Sequence, residues 1–314
     1  MTVDYLRLSI TDRCNLRCTY CMPEEGVPPR PHTEILSYEE LAALARVAAG
    51  CGISKVRITG GEPLVRRGCA QFVGMLARTS GIGDISLTTN GVLLPRNARE
   101  LRRQGLGRVN ISLDSLDPRR FAAVTRGGRL DDVLAGLESA FAAGFSPVKV
   151  NVLLLEGVED ELEAFVNLTR ARAVHVRFIE HMPLDRRRAG ALERRLVPAP
   201  LILQRLKGAF SLEPCAGPYG HGPATYWRVP GASGSIGFVA GVSGHFCDAC
   251  NRLRVTPDGR LRTCLFADDE IDLRPFISSP ETLREIVLAA MGGKRYDRRR
   301  EACSGSRAMS EIGG

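Results

Sequence analysis

The sequence has few lysines, and this absence makes its positive charge weak evidence of function. Four of the 314 residues are lysines against 39 arginines, namely Lys55, Lys149, Lys207 and Lys294. Such a bias, beside 33 glycines, reflects genome composition more than function, so the net charge of +8 says little about partners. The basic runs Arg186–Arg188 and Arg298–Arg300 have no interleaved aromatic residues, which favours a solvated surface. We therefore expect no nucleic-acid partner.

A membrane anchor and a secretion signal are also missing. No apolar run approaches the roughly 20 residues that a bilayer-spanning helix needs. The start, Met1-Thr2-Val3-Asp4, has neither the basic region nor the apolar core of a signal peptide. No G-x-G-x-x-G motif follows the first predicted strand, which argues against a dinucleotide-binding Rossmann unit. We expect a cytoplasmic protein without membrane contact, whose length allows two domains.

Cysteine is plentiful, and its spacing is the most informative feature of the chain. Cys14, Cys18 and Cys21, here called the first triplet, are spaced C-x3-C-x2-C. In a cytosolic protein, such cysteines indicate metal binding or catalysis rather than disulfides. Three thiolates can hold three corners of a cubane iron–sulfur cluster and leave one iron open to a small molecule. A structural zinc site needs four ligands, usually as C-x2-4-C pairs, so the spacing favours the cluster.

A second set of three cysteines lies near the end of the chain. Cys247, Cys250 and Cys264, here called the second triplet, have no fourth cysteine nearby. His245 could complete a zinc site, and that alternative stays open beside a second cluster with its own open iron. Of the remaining cysteines, Cys51 and Cys69 flank predicted helices and are expected to be small buried residues. Cys215 and Cys303 have no patterned partner.

Strand and helix patterns alternate up to about residue 181. Strands are predicted at Tyr5–Ile10, Lys55–Thr59, Asp84–Thr89, Arg108–Asp114, Val148–Leu155 and Ala173–Glu180, and helices at Ser37–Ala49, Cys69–Thr79, Pro95–Gln104, Leu130–Ala143 and Glu159–Thr169. Ser37 and Glu40 form a capping box at the first helix. The alternation predicts an α/β protein with a parallel sheet and crossover helices.

After Pro183 the alternation ends and prolines punctuate the chain. Asn251–Thr256 and Arg260–Cys264 read as a hairpin around an Asp-Gly turn. We place a domain boundary near residue 210. It gives a barrel-like domain over 1–210 and a smaller cysteine-bearing region over 211–314.

Polar residues recur with a period of two on five of the predicted strands. They are Arg7 and Ser9; Arg57 and Thr59; Ser86, Thr88 and Asn90; Asn110, Ser112 and Asp114; and Lys149 and Asn151. A helix-covered parallel sheet is normally apolar on both faces, and an unpaired buried charge is very costly. The stripes therefore predict one basic cavity for an anionic ligand, at the carboxyl ends of a curved sheet or incomplete barrel. Arg252 and Arg254 would add two guanidiniums pointing one way, suited to a carbonyl-rich or phosphate-bearing ligand.

The first triplet resembles the signature of the radical S-adenosylmethionine (SAM) superfamily. In that superfamily, the open iron of a [4Fe–4S] cluster binds SAM, and an electron from the cluster cleaves it to a 5′-deoxyadenosyl radical. Gly60-Gly61-Glu62-Pro63, which follows the second strand, resembles the segment that contacts the SAM amino group.

Five ordered motifs and the chain end resemble one family, the GTP 3′,8-cyclases of molybdenum cofactor biosynthesis. These are Leu6 to Cys14, Arg57 to Pro63, Val148 to Asn151, Arg177 to Glu180, the second triplet, and Ile312-Gly313-Gly314. The family implies an incomplete (β/α)6 barrel with a SAM cluster and a smaller C-terminal region with a second [4Fe–4S] cluster that binds GTP. It implies hydrogen abstraction from C3′ of GTP and attack on C8, giving 3′,8-cyclo-7,8-dihydro-GTP.

The resemblance also assigns roles to individual residues. The first triplet would ligate the SAM cluster and the second triplet the other cluster. SAM contacts are implied for Tyr20, Gly61, Ser112 and Met182, and GTP contacts for Arg7, Arg57, Thr88, Lys149, Arg252 and Arg254. Gly313 and Gly314 would enter the cavity and act in catalysis. The residues 185–200 and 294–308 match the family poorly, and the segment before Tyr5 is short.

Partners are likewise implied by the resemblance. They are a flavodoxin- or ferredoxin-like electron donor and a downstream cyclic pyranopterin monophosphate synthase, with a homodimer left open. Two alternatives remain: another radical SAM enzyme with an auxiliary cluster, such as a peptide maturase, and a zinc-binding nucleic-acid protein.

Overall fold

The computed structural model describes residues 2–28, 30–182, 197–219, 222–244, 246–247, 250–294 and 307–313. Several residues singled out in the sequence lie outside these ranges. They are His245, Cys303, Gly314, the basic runs Arg186–Arg188 and Arg298–Arg300, and most of the two poorly matching stretches.

Six parallel strands, paired in chain order, form the frame of the fold. They are β1 (Tyr5–Ser9), β2 (Lys55–Thr59), β3 (Asp84–Thr89), β4 (Arg108–Ser112), β5 (Val148–Leu154) and β6 (Val174–Glu180). The helices of this half are α1 (Tyr38–Gly50), α2 (Cys69–Ala77), α3 (Leu94–Arg103), α4 (Pro118–Thr125), α5 (Leu130–Ala142) and α6 (Leu162–Ala171). The predicted α/β fold with a parallel sheet is confirmed.

The C-terminal half extends both edges of this same sheet. Its elements are α7 (Ala199–Ala209), β7 (Glu213–Pro214), β8 (Thr225–Arg228), β9 (Ser235–Val239), β10 (Arg252–Val255), β11 (Arg260–Arg262), β12 (Ile271–Asp272), α8 (Pro280–Gly292) and α9 (Met309–Ile312). β9 runs parallel to β6 and β10 runs parallel to β1, and antiparallel strands finish both edges. The predicted domain boundary near residue 210 stays a prediction.

Local sequence signals explain several element ends. The Ser37 side chain accepts from the Glu40 amide, and the Glu40 carboxylate accepts from the Ser37 amide, so the predicted capping box starts α1. The hairpin of β10 and β11 is antiparallel as predicted, and Gly259 in its turn has a φ of +80°, which favours glycine. Cys69 is buried at the start of α2, whereas Cys51 is only half-buried.

The strand register brings the polar stripes side by side. Arg7 lies opposite Arg57 on β2 and Arg254 on β10, and Asn110 lies opposite Lys149. Apolar residues such as Leu8 fill the space between the sheet and the helices. The fold therefore concentrates charge within the curve of the sheet. No helix in the described ranges is long and apolar enough to span a membrane.

Candidate active site

The loop that carries the first triplet follows β1 and is held by the turn after β2. The Gly61 amide donates to the Thr11 carbonyl and the Glu62 amide to the Arg13 carbonyl, both at 2.8 Å. A Cβ atom at Gly61 would lie 2.5 Å from the Arg13 carbonyl oxygen, so a side chain there would push the loop away. Glycine at this position is therefore what allows the two turns to touch.

The turn after β3 supports the same loop. The Asn90 side-chain nitrogen donates to Asn15 Oδ1 at 2.8 Å and lies 3.9 Å from the Cys14 sulfur. Beneath it, the buried Glu62 carboxylate accepts from the Asn90 amide at 2.7 Å and from the Thr89 hydroxyl at 2.8 Å. Burial raises the pKa of Glu62 to about 7. Glu62 thus ties the turns after β2 and β3 together under the first triplet.

The two triplets differ in their electrostatic surroundings. Burial, together with Asp114 and the neighbouring thiols, raises the pKa of Cys18 well above its usual value. Burial also opposes ionisation of Cys250, but the charges of Arg252 and Lys294 outweigh it and lower the pKa of that thiol. Arg252 and Lys294 thus place positive charge beside Cys250, whereas Asp114 places negative charge beside Cys18.

One cavity of about 270 Å³ gathers most of the predicted site residues. Those that line it are Arg7, Tyr20, Arg57, Thr88, Ser112, Lys149, Met182, Arg252, Arg254 and the three cysteines of the second triplet. The first triplet, Gly61 and Gly313 do not line it. The predicted basic cavity is therefore present in the described residues, within the curve of the sheet.

The basic side chains of the cavity are buried close to one another, which disfavours their charged forms. Arg57, Lys149 and Arg254 are only 7%, 3% and 6% exposed. Burial and neighbouring arginines lower the pKa of Arg57 to about 9 and that of Lys149 to about 6. Burial also lowers the pKa of Arg254, with Arg7 and Arg252 adding to the effect. Such a cluster favours a ligand with several negative charges.

Tyr20 enters the cavity from the first-triplet loop and is fixed there by an acidic partner. Its hydroxyl donates to Asp114 Oδ2 at 2.6 Å. The other oxygen of Asp114 accepts from the Leu153 amide at 2.9 Å, so this carboxylate is fully engaged by β5 and Tyr20. The aromatic ring is thus oriented by the end of β4.

Sequence reasoning missed several residues that line the cavity. Arg177 donates to Asn151 Oδ1 at 3.0 Å and to Asn110 Oδ1 at 2.8 Å, which fixes its guanidinium among the cavity arginines. The period of two on β6, where His175 and Arg177 share a face, could have found it. Lys294 donates to the Arg252 and Thr263 carbonyls. It is one of four lysines in the sequence, and this scarcity was the signal that could have pointed to it. Tyr5 lies beneath Arg57, 5.4 Å from ring centroid to guanidinium carbon.

The end of the chain reaches the strands that carry the site. The Gly313 carbonyl accepts from Arg254 Nη1 at 3.1 Å. A Cβ atom on Gly313 would lie 2.5 Å from Thr59 Oγ1 and 2.6 Å from Ser9 Cβ. Backbone without a side chain is therefore what fits over the ends of β1 and β2.

The fold and the first-triplet loop together define a radical SAM protein. The model of the radical SAM superfamily matches residues 8–169, and the model described as Molybdenum Cofactor Synthesis C matches residues 174–300. The chain is similar in fold to the SuiB protein of Streptococcus suis bound to S-adenosylmethionine, with a TM-score of 0.62 and 12% identity over 99% of this chain and 72% of that one. At such identity the likeness concerns the fold alone.

Close sequence relatives narrow the class. A GTP 3′,8-cyclase of Geobacter sulfurreducens is 47% identical, covering 99% of this chain and 97% of the relative. A GTP 3′,8-cyclase of Heliobacterium modesticaldum is 48% identical, covering 99% and 98%. The chain belongs to the GTP 3′,8-cyclase family of radical SAM enzymes.

Proposed function

We propose that this protein converts GTP to 3′,8-cyclo-7,8-dihydro-GTP, the first step of molybdenum cofactor biosynthesis. The observation that supports this most is the cavity itself, which brings buried cations and the second triplet together beside Tyr20 of the first-triplet loop. A triphosphate supplies the negative charge that these cations require, and an open iron can bind a purine base.

The residues fit the two [4Fe–4S] clusters and the SAM of this family. Each triplet offers three thiols and an amide donor to sulfur, from Leu16 to Cys14 and from Phe266 to Cys264, both at 3.4 Å. Within the described ranges, no three histidine, cysteine or carboxylate side chains converge on a single metal ion. When bound, the clusters supply one-electron reduction of SAM and an open iron for a ligand.

The protein's own residues then bind and orient the two small molecules. Arg57, Lys149 and Arg254 are proposed to hold the triphosphate, together with Arg7, Thr88 and Arg252. Tyr20 is held by Asp114 where it can contact SAM, near Ser112 and Met182 in the cavity wall. The turn that contains Gly61 is proposed to contact the SAM amino group, beside the first-triplet loop that it holds in place.

The remaining partners follow from the same proposal. The reductant would be a flavodoxin- or ferredoxin-like donor in the cytoplasm, and the product would pass to a cyclic pyranopterin monophosphate synthase. A homodimer is compatible with the proposal but is not required, because every residue invoked belongs to one chain.

Anaerobic incubation with SAM, GTP and a strong reductant tests the function directly. The purified protein should be brown, contain about eight irons per chain, and form the cyclic nucleotide. Cys18→Ala should abolish both SAM cleavage and cyclisation, whereas Cys264→Ala should stop cyclisation but keep some SAM cleavage. Cys51→Ala, outside the cavity, is the control and should behave as wild type. Zinc without iron, or normal cyclisation by Cys264→Ala, would contradict the proposed roles.

A further inference from the structure

We propose that Arg307, Asp258 and Glu270 form a tail clamp that positions the C-terminal residues for the reaction. The proposal rests on the proposed function, since it concerns how this chain places Gly313 at the active site. Its physical basis is a network of ion pairs that joins the tail to the hairpin carrying the second triplet.

The tail cannot hold its own position. Helix α9 has four residues, far fewer than an isolated helix needs for stability in water. Ile312 is buried against Phe266 beside Cys264, which gives the tail one apolar anchor. The backbone of Gly313 then packs against Ser9 and Thr59 at the ends of β1 and β2, where there is no room for a side chain. A further constraint is needed to set where the helix begins.

Arg307 supplies that constraint immediately before α9. Its Nη1 and Nη2 atoms each lie 3.0 Å from one oxygen of Asp258, a two-point contact of the kind that fixes direction as well as distance. Nη2 also donates to Glu270 Oε2 at 2.7 Å. The side chains of Arg307 and Asp258 are 16% and 10% exposed, so solvent screens this pair less than a surface pair.

Both carboxylates of the clamp are themselves fixed to the second-triplet hairpin. Asp258 lies in the turn between β10 and β11, where the Thr256 hydroxyl donates to it at 2.6 Å. Glu270 accepts from the buried Arg262 on β11, two residues before Cys264, at 2.5 Å. The position of the tail is thus mechanically linked to the strands that carry the second triplet.

A second arginine contributes more weakly. Arg30 lies 3.7 Å from Asp258 and 3.7 Å from Glu311, so it spans the clamp and α9 without close hydrogen bonds. The three short hydrogen bonds of Arg307, two to Asp258 and one to Glu270, therefore carry most of the constraint, and Arg307 is a positioning residue rather than a catalytic one.

Arg307→Met in the iron-loaded, full-length enzyme tests the clamp. Loss of a charge-assisted, two-point contact should speed hydrogen exchange at the amides of residues 309–313 by roughly tenfold to a hundredfold. Cyclisation should fall by a similar factor, while iron content and reductive SAM cleavage stay at wild-type levels. Arg307→Lys keeps the positive charge but loses the two-point contact of the guanidinium. Its tail exchange and its cyclisation rate should therefore lie between those of wild type and Arg307→Met. Asp258→Asn provides a second disruption from the other side.

The control is Arg172→Met, which removes an exposed ion pair with Glu138 far from the tail. It should change neither tail exchange nor cyclisation. Unchanged exchange at residues 309–313 in both Arg307→Met and Asp258→Asn would overturn the clamp. Faster tail exchange with undiminished cyclisation would overturn its role in positioning. Failure of the wild-type enzyme to form the cyclic nucleotide would instead refute the proposed function, so the two failures are distinguishable.

Discussion

At the residue scale, the buried arginines of the cavity favour a substrate with several negative charges. Arg57 and Arg254 are buried and lie among other cations, so a bound triphosphate would compensate both. Alanine at either position removes a charge-assisted hydrogen bond worth about 1.5–3 kcal/mol, so GTP affinity should fall roughly tenfold to a hundredfold. Calorimetric titration of the iron-loaded variants with GTP measures this loss.

The matched control is Arg260→Ala on β11, whose guanidinium pairs with Asp272 at 3.1 Å in a half-exposed position. GTP affinity should be unchanged in this variant. Because Arg254 also donates to the Gly313 carbonyl, Arg254→Ala should reduce turnover at saturating GTP more than Arg57→Ala does. Wild-type affinity in both cavity variants would remove these arginines from the substrate site.

The lowered pKa of Lys149 predicts that the protein takes up a proton when GTP binds. Burial and nearby arginines lower its pKa to about 6, so the side chain is mostly neutral at pH 7.5 in the free protein. A bound triphosphate favours the ammonium and raises this pKa, so binding should consume up to one proton above pH 6 and none well below it. Calorimetry in buffers of different ionisation enthalpy measures this uptake, and affinity should fall as the pH rises from 6.

Two variants separate Lys149 from other titrating groups. Lys149→Met should lose the proton uptake, whereas Lys207→Met, on the exposed face of α7, should keep it. The lowered pKa of Lys149 also predicts how the stability of the free protein changes with pH. Because ionisation is harder in the folded chain than in the unfolded one, stability should fall as the pH decreases from about 10 towards 6. Proton uptake that persists in Lys149→Met would assign it to another group.

Much of the basic cavity was predictable residue by residue, for a simple physical reason. Period-two alternation reports which strand residues share a face, and buried charge on a sheet covered by helices demands a ligand. Arg57 and Lys149 were found in this way. Lys294 was not, because it follows α8 and reaches the site through hydrogen bonds to the Arg252 and Thr263 carbonyls, which no local pattern encodes.

At the element scale, Glu180 at the end of β6 positions the loop that leads to the second triplet. Its carboxylate accepts from the Ala199, Val242 and Ser243 amides at 2.7–2.8 Å. Glu180→Ala leaves these donors without their acceptor, at a cost of about 1–3 kcal/mol for each one that stays buried. We expect a lower free energy of unfolding and iron content reduced towards one cluster, measured by chemical denaturation and metal analysis.

Glu138→Ala is the control for this prediction, since Glu138 forms an exposed pair with Arg172 and supports no loop. A surface pair of this kind contributes at most about 1 kcal/mol, so stability and iron content should change little. Full iron content and unchanged stability in Glu180→Ala would mean that the loop holds its position by other contacts.

Elements with strong local signals were predicted close to their observed bounds, and those set by distant contacts were not. β1 to β6 and α1 follow directly from apolar periodicity and capping. The parallel pairing of β10 with β1 joins residues Tyr5 and Arg252, and nothing within either segment specifies the other. Helix α4, capped by Asp117 with Pro118 at its first position, is short and lacked the apolar period that identified longer helices.

At the scale of the whole molecule, the pairing of β1 with β10 brings the two ends of the chain to one site. The first triplet follows the C-terminal end of β1, whereas Cys247 and Cys250 precede β10 and Cys264 follows the antiparallel β11. The parallel register of β1 and β10 therefore places the two triplets at opposite ends of this strand pair, with the cavity arginines between them. The tail then crosses the ends of β1 and β2 and bonds to Arg254 of β10. The site therefore depends on segments that lie far apart in the sequence, namely β1, β10 and the residues around Gly313.

Removal of the terminal glycines tests this dependence. A frayed chain end would tolerate deletion of Gly313 and Gly314, but Gly313 is buried and its φ of +83° favours glycine. A Cβ at this residue would press on Ser9 and Thr59, which are themselves buried. Deletion of both glycines, and Gly313→Ala alone, should therefore retain iron content and SAM binding while cyclisation drops at least about tenfold.

The control for the substitution is Gly292→Ala at the end of α8, where an added Cβ meets nothing within 4 Å. This variant should keep full activity, because the change is local and sterically free. A synthetic peptide that copies the tail should restore part of the cyclisation to the deleted chain, since the space it enters is preformed by β1, β2 and Arg254. Product formation at the wild-type rate by a chain ending at Ile312 would show that the tail is not needed, and the contact between Gly313 and Arg254 would then serve packing alone.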